Sequence, residues 1–308
     1  MTRTVVATVI ALLVNVGSVV TRGQEVTLRA RVDVVTIDAF VHHEGRPIMG
    51  LTAADFLVRD NGVEQEVRAL GTTDSAHVIV ALDLSGSVAG DVRSRLEGAV
   101  RGLLDRLTAG DRVSLLTFAD RVRVHHVSDV PTMVRLDDLA RVPALGATTL
   151  LDALLVGSQL ARADTRPALL LVFTDGADTA SWTTAGRVLE ALRQASVTVV
   201  PVAAGLPSAA PSPRDATYFR TRSWLAASPG DLVRLMDRLA EATGGEVVRL
   251  ERNAALADAF GRILDRYRQR YLLSFTPRAD NPRGWHRLDV RLRQRAGTVV
   301  ARPGYVAP

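Results

Sequence analysis

The stretch His77-Val78-Ile79-Val80-Ala81-Leu82-Asp83-Leu84-Ser85-Gly86-Ser87 decides the fold. Its first six residues form an apolar run without the polar alternation of a half-exposed strand. Such a run suits a strand covered on both faces, the habit of parallel sheets flanked by helices. The run breaks at Asp83 into a short hydroxyl-rich segment. A helix pattern follows, with Val92, Leu96, Ala99, Val100, Leu103, Leu104 and Leu107 on one face and Gly110 as its stop.

The same rhythm continues downstream. Val113–Phe118 and Val122–Val124 read as strands, Thr149–Ala163 as a helix, and Ala168–Phe173 as a second fully buried strand. Leu189 and Leu192 mark a helix, Val197–Val200 a strand, and Leu232, Leu235, Met236 and Leu239 a helix stopped by Gly244-Gly245. Val247-Val248 is a short strand, and Leu256, Phe260, Ile263, Leu264 and Tyr267 face one way on a last helix. Alternating strands and helices of this kind predict an α/β fold: a three-layer, Rossmann-like domain around a mostly parallel sheet.

The flanks differ. Asp60-Asn61-Gly62 between Phe56–Arg59 and Val63–Val67 is a hairpin signal, because both turn residues need positive φ. Thr52 to Asp55 has the composition of a capped helical turn. Residues 271–275, 286–292 and 298–301 return to β pattern. The expected organisation is a leader or anchor over 1–23, a β segment over 24–75, the α/β domain over 76–268, and a β segment over 269–308 that pairs with 24–75. Residues 206–230, rich in Pro, Ser and Ala, read as a surface insertion.

Composition narrows the chemistry. Of the 308 residues, 47% are hydrophobic and 23% charged, as in a folded globular protein. Cysteine is absent, which excludes disulfides, thiolate metal sites and a cysteine nucleophile. All 38 basic residues are arginine, so no P-loop lysine and no Schiff-base lysine exists. The net charge of +5 hides an asymmetry: residues 251–308 carry 12 Arg against 5 acids. No aromatic-rich basic cluster accompanies them, so nucleic acid is not an expected partner. Arg3 followed by the uncharged, apolar-rich stretch Thr4–Thr21 reads as an export signal or a membrane anchor, which places the chain in a bacterial cell envelope, secreted or periplasmic.

Five side chains stand where an open α/β sheet binds ligands, at the carboxyl ends of its strands beside the switch in strand order. They are Asp83, Ser85 and Ser87 after the first strand, Thr148 at the opening of a helix, and Asp175 after the fourth strand. With strand order 3-2-1-4-5-6, the first and fourth strands are neighbours, and Asp83 and Asp175 share one crevice. Two bare carboxylates there repel unless a cation lies between them. An all-oxygen set favours Mg2+, with Mn2+ or Ca2+ as alternatives. It leaves a position for a carboxylate from a partner.

These residues resemble the metal-ion-dependent adhesion site (MIDAS) of von Willebrand factor type A domains. Asp83-x-Ser85-x-Ser87, Thr148 and the Asp175 of Thr-Asp-Gly match it in order, and the resemblance spans about residues 76–268. It implies direct metal contact by Ser85, Ser87 and Thr148, contact partly through water by Asp83 and Asp175, and a protein ligand offering an acidic side chain. It also implies that the last helix, 254–268, moves with the metal's ligation. The flanking motifs Leu51–Phe56, Tyr271–Phe275, Gly284-Trp285-His286 and Ala301–Tyr305 are similar to those of secreted bacterial proteins related to this family.

Competing readings are a metal-dependent hydrolase at the same crevice and an envelope protein that uses an ion only for rigidity. The hydrolase lacks a general base assignable beside Asp83, and Ser85 lacks a nucleophile elbow. His42-His43 and His125-His126 lie on strands, where adjacent side chains point apart and cannot chelate one ion. Asp152 reads as supporting or solvent-facing, since helix spacing turns it away from Thr148. Trp182 and Trp224 read as core residues.

Overall fold

The structure is a computed structural model, and it describes residues 34–72, 74–86, 91–142, 146–174, 178–204, 229–251, 255–277 and 283–307. The expected leader (1–23), Ser87, Asp175, Trp224 and nearly all of the insertion lie outside the described residues. In chain order the first strands are β1 (Val35–His43), β2 (Arg46–Pro47), β3 (Phe56–Asp60), β4 (Val63–Gln65) and β5 (Arg68–Thr72). Then come β6 (His77–Asp83), α1 (Asp91–Leu104), β7 (Arg112–Phe118), β8 (Val122–Asp129), α2 (Asp137–Arg141), α3 (Leu150–Ala161) and β9 (Ala168–Thr174). The chain continues through α4 (Ala185–Gln194), β10 (Val197–Ala204), α5 (Pro229–Thr243), β11 (Val248–Leu250) and α6 (Leu256–Arg268). It closes with β12 (Tyr271–Phe275), β13 (Gly284–Leu292), β14 (Thr298–Ala301) and β15 (Gly304–Ala307).

The central sheet has the order β11-β10-β9-β6-β7-β8. Every pairing in it is parallel except β7 with β8. The switch in strand order therefore falls between β6 and β9, the arrangement on which the crevice argument rests. β6 is buried along its whole length, and successive side chains serve opposite faces. Val78, Val80 and Leu82 pack with Leu96, Leu103, Phe260 and Leu264 under α1 and α6. Ile79 and Ala81 pack with Leu150, Val188, Leu192 and Met236 under α3, α4 and α5. This gives three layers, and it explains why β6 carries no polar alternation.

α1 ends at Leu104, short of Gly110. Residues 105–107 wind on as tight turns, with Arg106 N–H on the Leu103 carbonyl and Leu107 N–H on that of Leu104. Gly244 ends α5 at φ +73°, where an added Cβ would meet the Arg302 backbone nitrogen at 2.6 Å. Only glycine allows both that conformation and that approach.

The flanking strands form two further sheets. One runs β14-β1-β12-β5, with β2 paired to β1, and the other runs β15-β13-β3-β4. In each, strands preceding the α/β region pair antiparallel with strands following it: β1 with β12 and β14, β3 with β13. Ile37, Phe56, Val58, Leu273, Phe275, Leu288 and Tyr305 fill the core between them. The hairpin turn has Asn61 at φ 48° and Gly62 at φ 87°, the two positive values of a type I′ turn. A buried polar cluster ties its base: Asp60 Oδ1 lies 2.7 Å from His286 Nδ1, and Tyr305 Oη donates to Asp60 Oδ2 at 2.8 Å.

The flanking sheets are joined to the α/β layers by an ion pair. Arg270, two residues after α6, reaches Asp38 of β1 at 2.6 Å and donates to the Gly244 carbonyl at 2.8 Å. Thr198 Oγ1 of β10 donates to the other Asp38 oxygen at 2.6 Å.

Candidate metal centre

Asp83 is the last residue of β6, level with Phe118 of β7. Its carboxylate is fully buried (0% exposed) and both oxygens are engaged. Ser85 N–H donates to Oδ1 at 2.9 Å, and Thr174 Oγ1, at the end of β9, donates to Oδ2 at 2.7 Å. The first bond closes the backbone into a tight turn just past the strand end. The second comes from the strand across the switch point. The carboxylate is thus oriented from both sides of the crevice before any ligand arrives.

The loop before α3 forms the next wall. An added Cβ on Gly86 would lie 3.9 Å from the Gly146 carbonyl oxygen, so the loop leaving β6 runs against the loop carrying Thr148. Gly146 has φ +89°, and a Cβ there would press on the Asp120 side chain at 3.3 Å. Glycine thus lets the loop pass between the ends of β6 and β7. Thr148 is only 6% exposed. Its N–H donates to Thr179 Oγ1 at 2.8 Å, and its carbonyl accepts from the N–H groups of Thr179 (2.9 Å) and Ala180 (3.1 Å).

The segment after β9 is held just as closely. Asp152, on the first turn of α3, accepts from Trp182 N–H and Thr183 N–H, each at 3.0 Å. Ser181 Oγ donates to Asp178 Oδ1 at 2.6 Å and accepts from Asp152 N–H at 3.1 Å. Burial, with the Asp152 charge adding to it, raises the Asp178 pKa above the usual carboxylate range. On the opposite rim, the Arg121 guanidinium beside Asp120 holds that carboxyl below it.

Of the five side chains singled out from sequence, Asp83, Ser85 and Thr148 therefore sit on one edge of the central sheet. Ser87 and Asp175 lie outside the described residues. The described donors are one carboxylate and two hydroxyls, buried and held by their surroundings. Hard oxygens of this kind fit Mg2+, Mn2+ or Ca2+.

Sequence reasoning missed the supporting shell. Thr174 orients Asp83 and Thr179 orients Thr148. Asp152, read as supporting or solvent-facing, takes the supporting role: it clamps the segment after β9. The available signal was a hydroxyl residue at a strand terminus, too common to single out. Trp182 corrects an expectation, being 96% exposed rather than part of the core. The segment that carries it is fixed by hydrogen bonds to backbone and carboxylate, so no apolar neighbour is needed to place it.

Residues 78–177 match the family model of the von Willebrand factor type A domain. Its fold is similar to a solved von Willebrand factor type A protein from Catenulispora acidiphila, at TM-score 0.51 and 12% identity, over 85% of this chain and 75% of that one. It is also similar to an aerotolerance-related membrane protein from Bacteroides fragilis, at TM-score 0.41 and 17% identity, over 62% of this chain and 98% of that one. A third similar structure is proximal thread matrix protein 1 from the mussel byssus with a zinc-occupied MIDAS motif, at TM-score 0.46 and 14% identity, over 65% of this chain and 47% of that one. At these identities the likeness is one of fold. No curated protein matches the sequence.

Proposed function

We propose that this chain is an extracytoplasmic, adhesion-type binding module that holds a protein partner through a divalent cation. Asp83, Ser85, Ser87, Thr148 and Asp175 are the proposed ligands, and Mg2+ the proposed ion. When bound, the cation offers a coordination position to a carboxylate oxygen of the partner. The protein's own part is orientation. Thr174 and the Ser85 N–H hold Asp83, Thr179 holds Thr148, and the loops at Gly86 and Gly146 bring the two together.

One observation carries this reading. A carboxylate with no exposed surface is oriented at the open edge of a parallel sheet, beside two hydroxyl-bearing loops. A carboxylate and hydroxyls brought to one strand edge are the hard oxygen donors that a divalent cation takes. Two donors fix its oxygens from Ser85 and Thr174, an arrangement that suits holding an ion more than attacking a substrate. We take residues 76–268 as the binding domain and the segments 24–75 and 269–308 as one β domain that carries it. The uncharged stretch Thr4–Thr21 supports a place in the cell envelope, exported or anchored.

The test is titration calorimetry of Mg2+ into the wild-type protein and into Asp83→Asn. The reading predicts saturable binding to the wild type, weakened at least about tenfold by the loss of one ligand charge. Equal affinity in the two proteins overturns it.

A further inference from the structure

The metal edge carries an aromatic residue that nothing in the fold requires. Trp182 is 96% exposed, so its indole makes almost no contact with its own chain. Leaving a large apolar ring in water forgoes the free energy that burial returns. Trp285 behaves differently: it is 42% exposed and covered by the Arg193 guanidinium, 4.6 Å from the ring centroid. Trp182 has no such cover, yet its backbone is among the best-held in the region. Its own N–H and that of Thr183 go to the two oxygens of Asp152. Ser181 is tied to Asp178, and the Thr179 and Ala180 N–H groups go to the Thr148 carbonyl. The ring is presented on a support with little conformational freedom, which lowers the entropy lost when a partner covers it.

Its place relative to the metal edge follows from chain reach. Thr179 is hydrogen-bonded to Thr148 at 2.8 Å, and Trp182 is three residues further on. At most about 11 Å of backbone separates the Cα atoms of Thr179 and Trp182. An extended segment advances about 3.3 Å per residue, so Trp182 lies within about three residues' span of the loop that carries Thr148.

We propose that Trp182 is the anchor of the partner-binding face, and that the partner offers an acidic residue flanked within three positions by a bulky apolar side chain that packs on the indole. This rests on the metal-dependent reading above. Continuity of the Trp182 segment with the Thr148 loop favours a protein segment over a lipid surface, because one ligand then satisfies both features.

The probes are two synthetic peptides with a central aspartate, flanked in one by leucine and phenylalanine and in the other by serine. Binding is followed by fluorescence anisotropy in Mg2+, with and without chelator, for wild type and Trp182→Ala. The expected result is about tenfold tighter binding of the apolar-flanked peptide, lost in Trp182→Ala, with chelator abolishing both. Trp182 is exposed, so this variant leaves the fold intact. Metal-dependent binding of both peptides with equal affinity overturns the role of Trp182 and leaves the metal reading standing. No metal-dependent binding of either peptide overturns that reading and this inference with it. Sedimentation with phosphatidylcholine–phosphatidylglycerol vesicles that Trp182→Ala abolishes, without discrimination between the peptides, makes the residue a lipid contact and overturns the proposal.

Discussion

Replacing Thr174 by valine removes one hydroxyl from the carboxyl edge of the central sheet, beside the proposed cation site. The two side chains are close in volume, and Thr174 is fully buried, so no cavity opens and no surface changes. What disappears is the 2.7 Å bond from Oγ1 to Asp83 Oδ2. A hydrogen bond to a charged group contributes about 1.5–3 kcal/mol. Thr174→Val should therefore destabilise the metal-free protein by about 2 kcal/mol. Urea denaturation of wild type, Thr174→Val, Asp83→Asn and the double variant gives the coupling between the two side chains directly. The side-chain amide introduced by Asp83→Asn also accepts a bond but carries no charge. The valine substitution should therefore cost less in that background, with a coupling of about 1 kcal/mol. Saturating Mg2+ should shrink the Thr174→Val deficit, because a cation then compensates the carboxylate. A loss below about 0.5 kcal/mol, or a coupling of zero, would show that Thr174 does not hold Asp83 and that the site is not oriented as argued.

Three further outcomes follow from the same structure. Asp152→Ala removes both acceptors for Trp182 and Thr183, and hydrogen exchange should show those two amides opening about tenfold faster or more; unchanged exchange contradicts the clamp. Arg270→Met strands Asp38 between the flanking sheets and the α/β layers, and urea denaturation should register a loss of about 2–4 kcal/mol, less if Asp38→Asn is added. His77 is buried against Ser114 at 2.8 Å, and burial lowers its pKa below 6.5. Just below the ordinary pKa of 6.5 the unfolded chain then holds more proton than the folded chain, so stability rises with pH through that window and falls on acidification into it. Thermal melting across it should show a steeper acid loss for wild type than for His77→Gln; equal slopes refute the assignment.

The parts of the fold that could be read from sequence are those whose signal is local. β6 announced itself because a strand covered on both faces carries an unbroken apolar run, here Val78 to Leu82. The type I′ turn did so because Asn61 and Gly62 tolerate φ > 0. The strand order entered as the usual one for an open α/β sheet, and the central sheet has it. Contacts between distant residues left no such trace. The sharing of strands between two flanking sheets depends on partners more than 200 residues apart, as when Val58 pairs with Val290. Nothing in either segment's periodicity says which of two sheets it joins. α2, five residues long, is too short for a helical period to show.

The candidate site divides in the same way. Asp83, Ser85 and Thr148 were legible because their spacing placed hydroxyls and a carboxylate at strand and helix termini. Thr174 and Thr179 act on backbone groups or on another side chain's oxygen, and hydrogen bonds of that kind select no distinctive residue type. Trp182 was misjudged because aromatic character alone says nothing of a loop whose conformation is set by its N–H groups.

The central claim is that a divalent cation sits at the carboxyl edge of the sheet between Asp83 and the loop of Thr148. Soaking crystals of the protein in Mn2+ and recording anomalous scattering would test it most directly. One peak is expected, in contact with the hydroxyl oxygens of Ser85 and Thr148. A map with no peak at that edge, from crystals that show Mn2+ elsewhere, would contradict it.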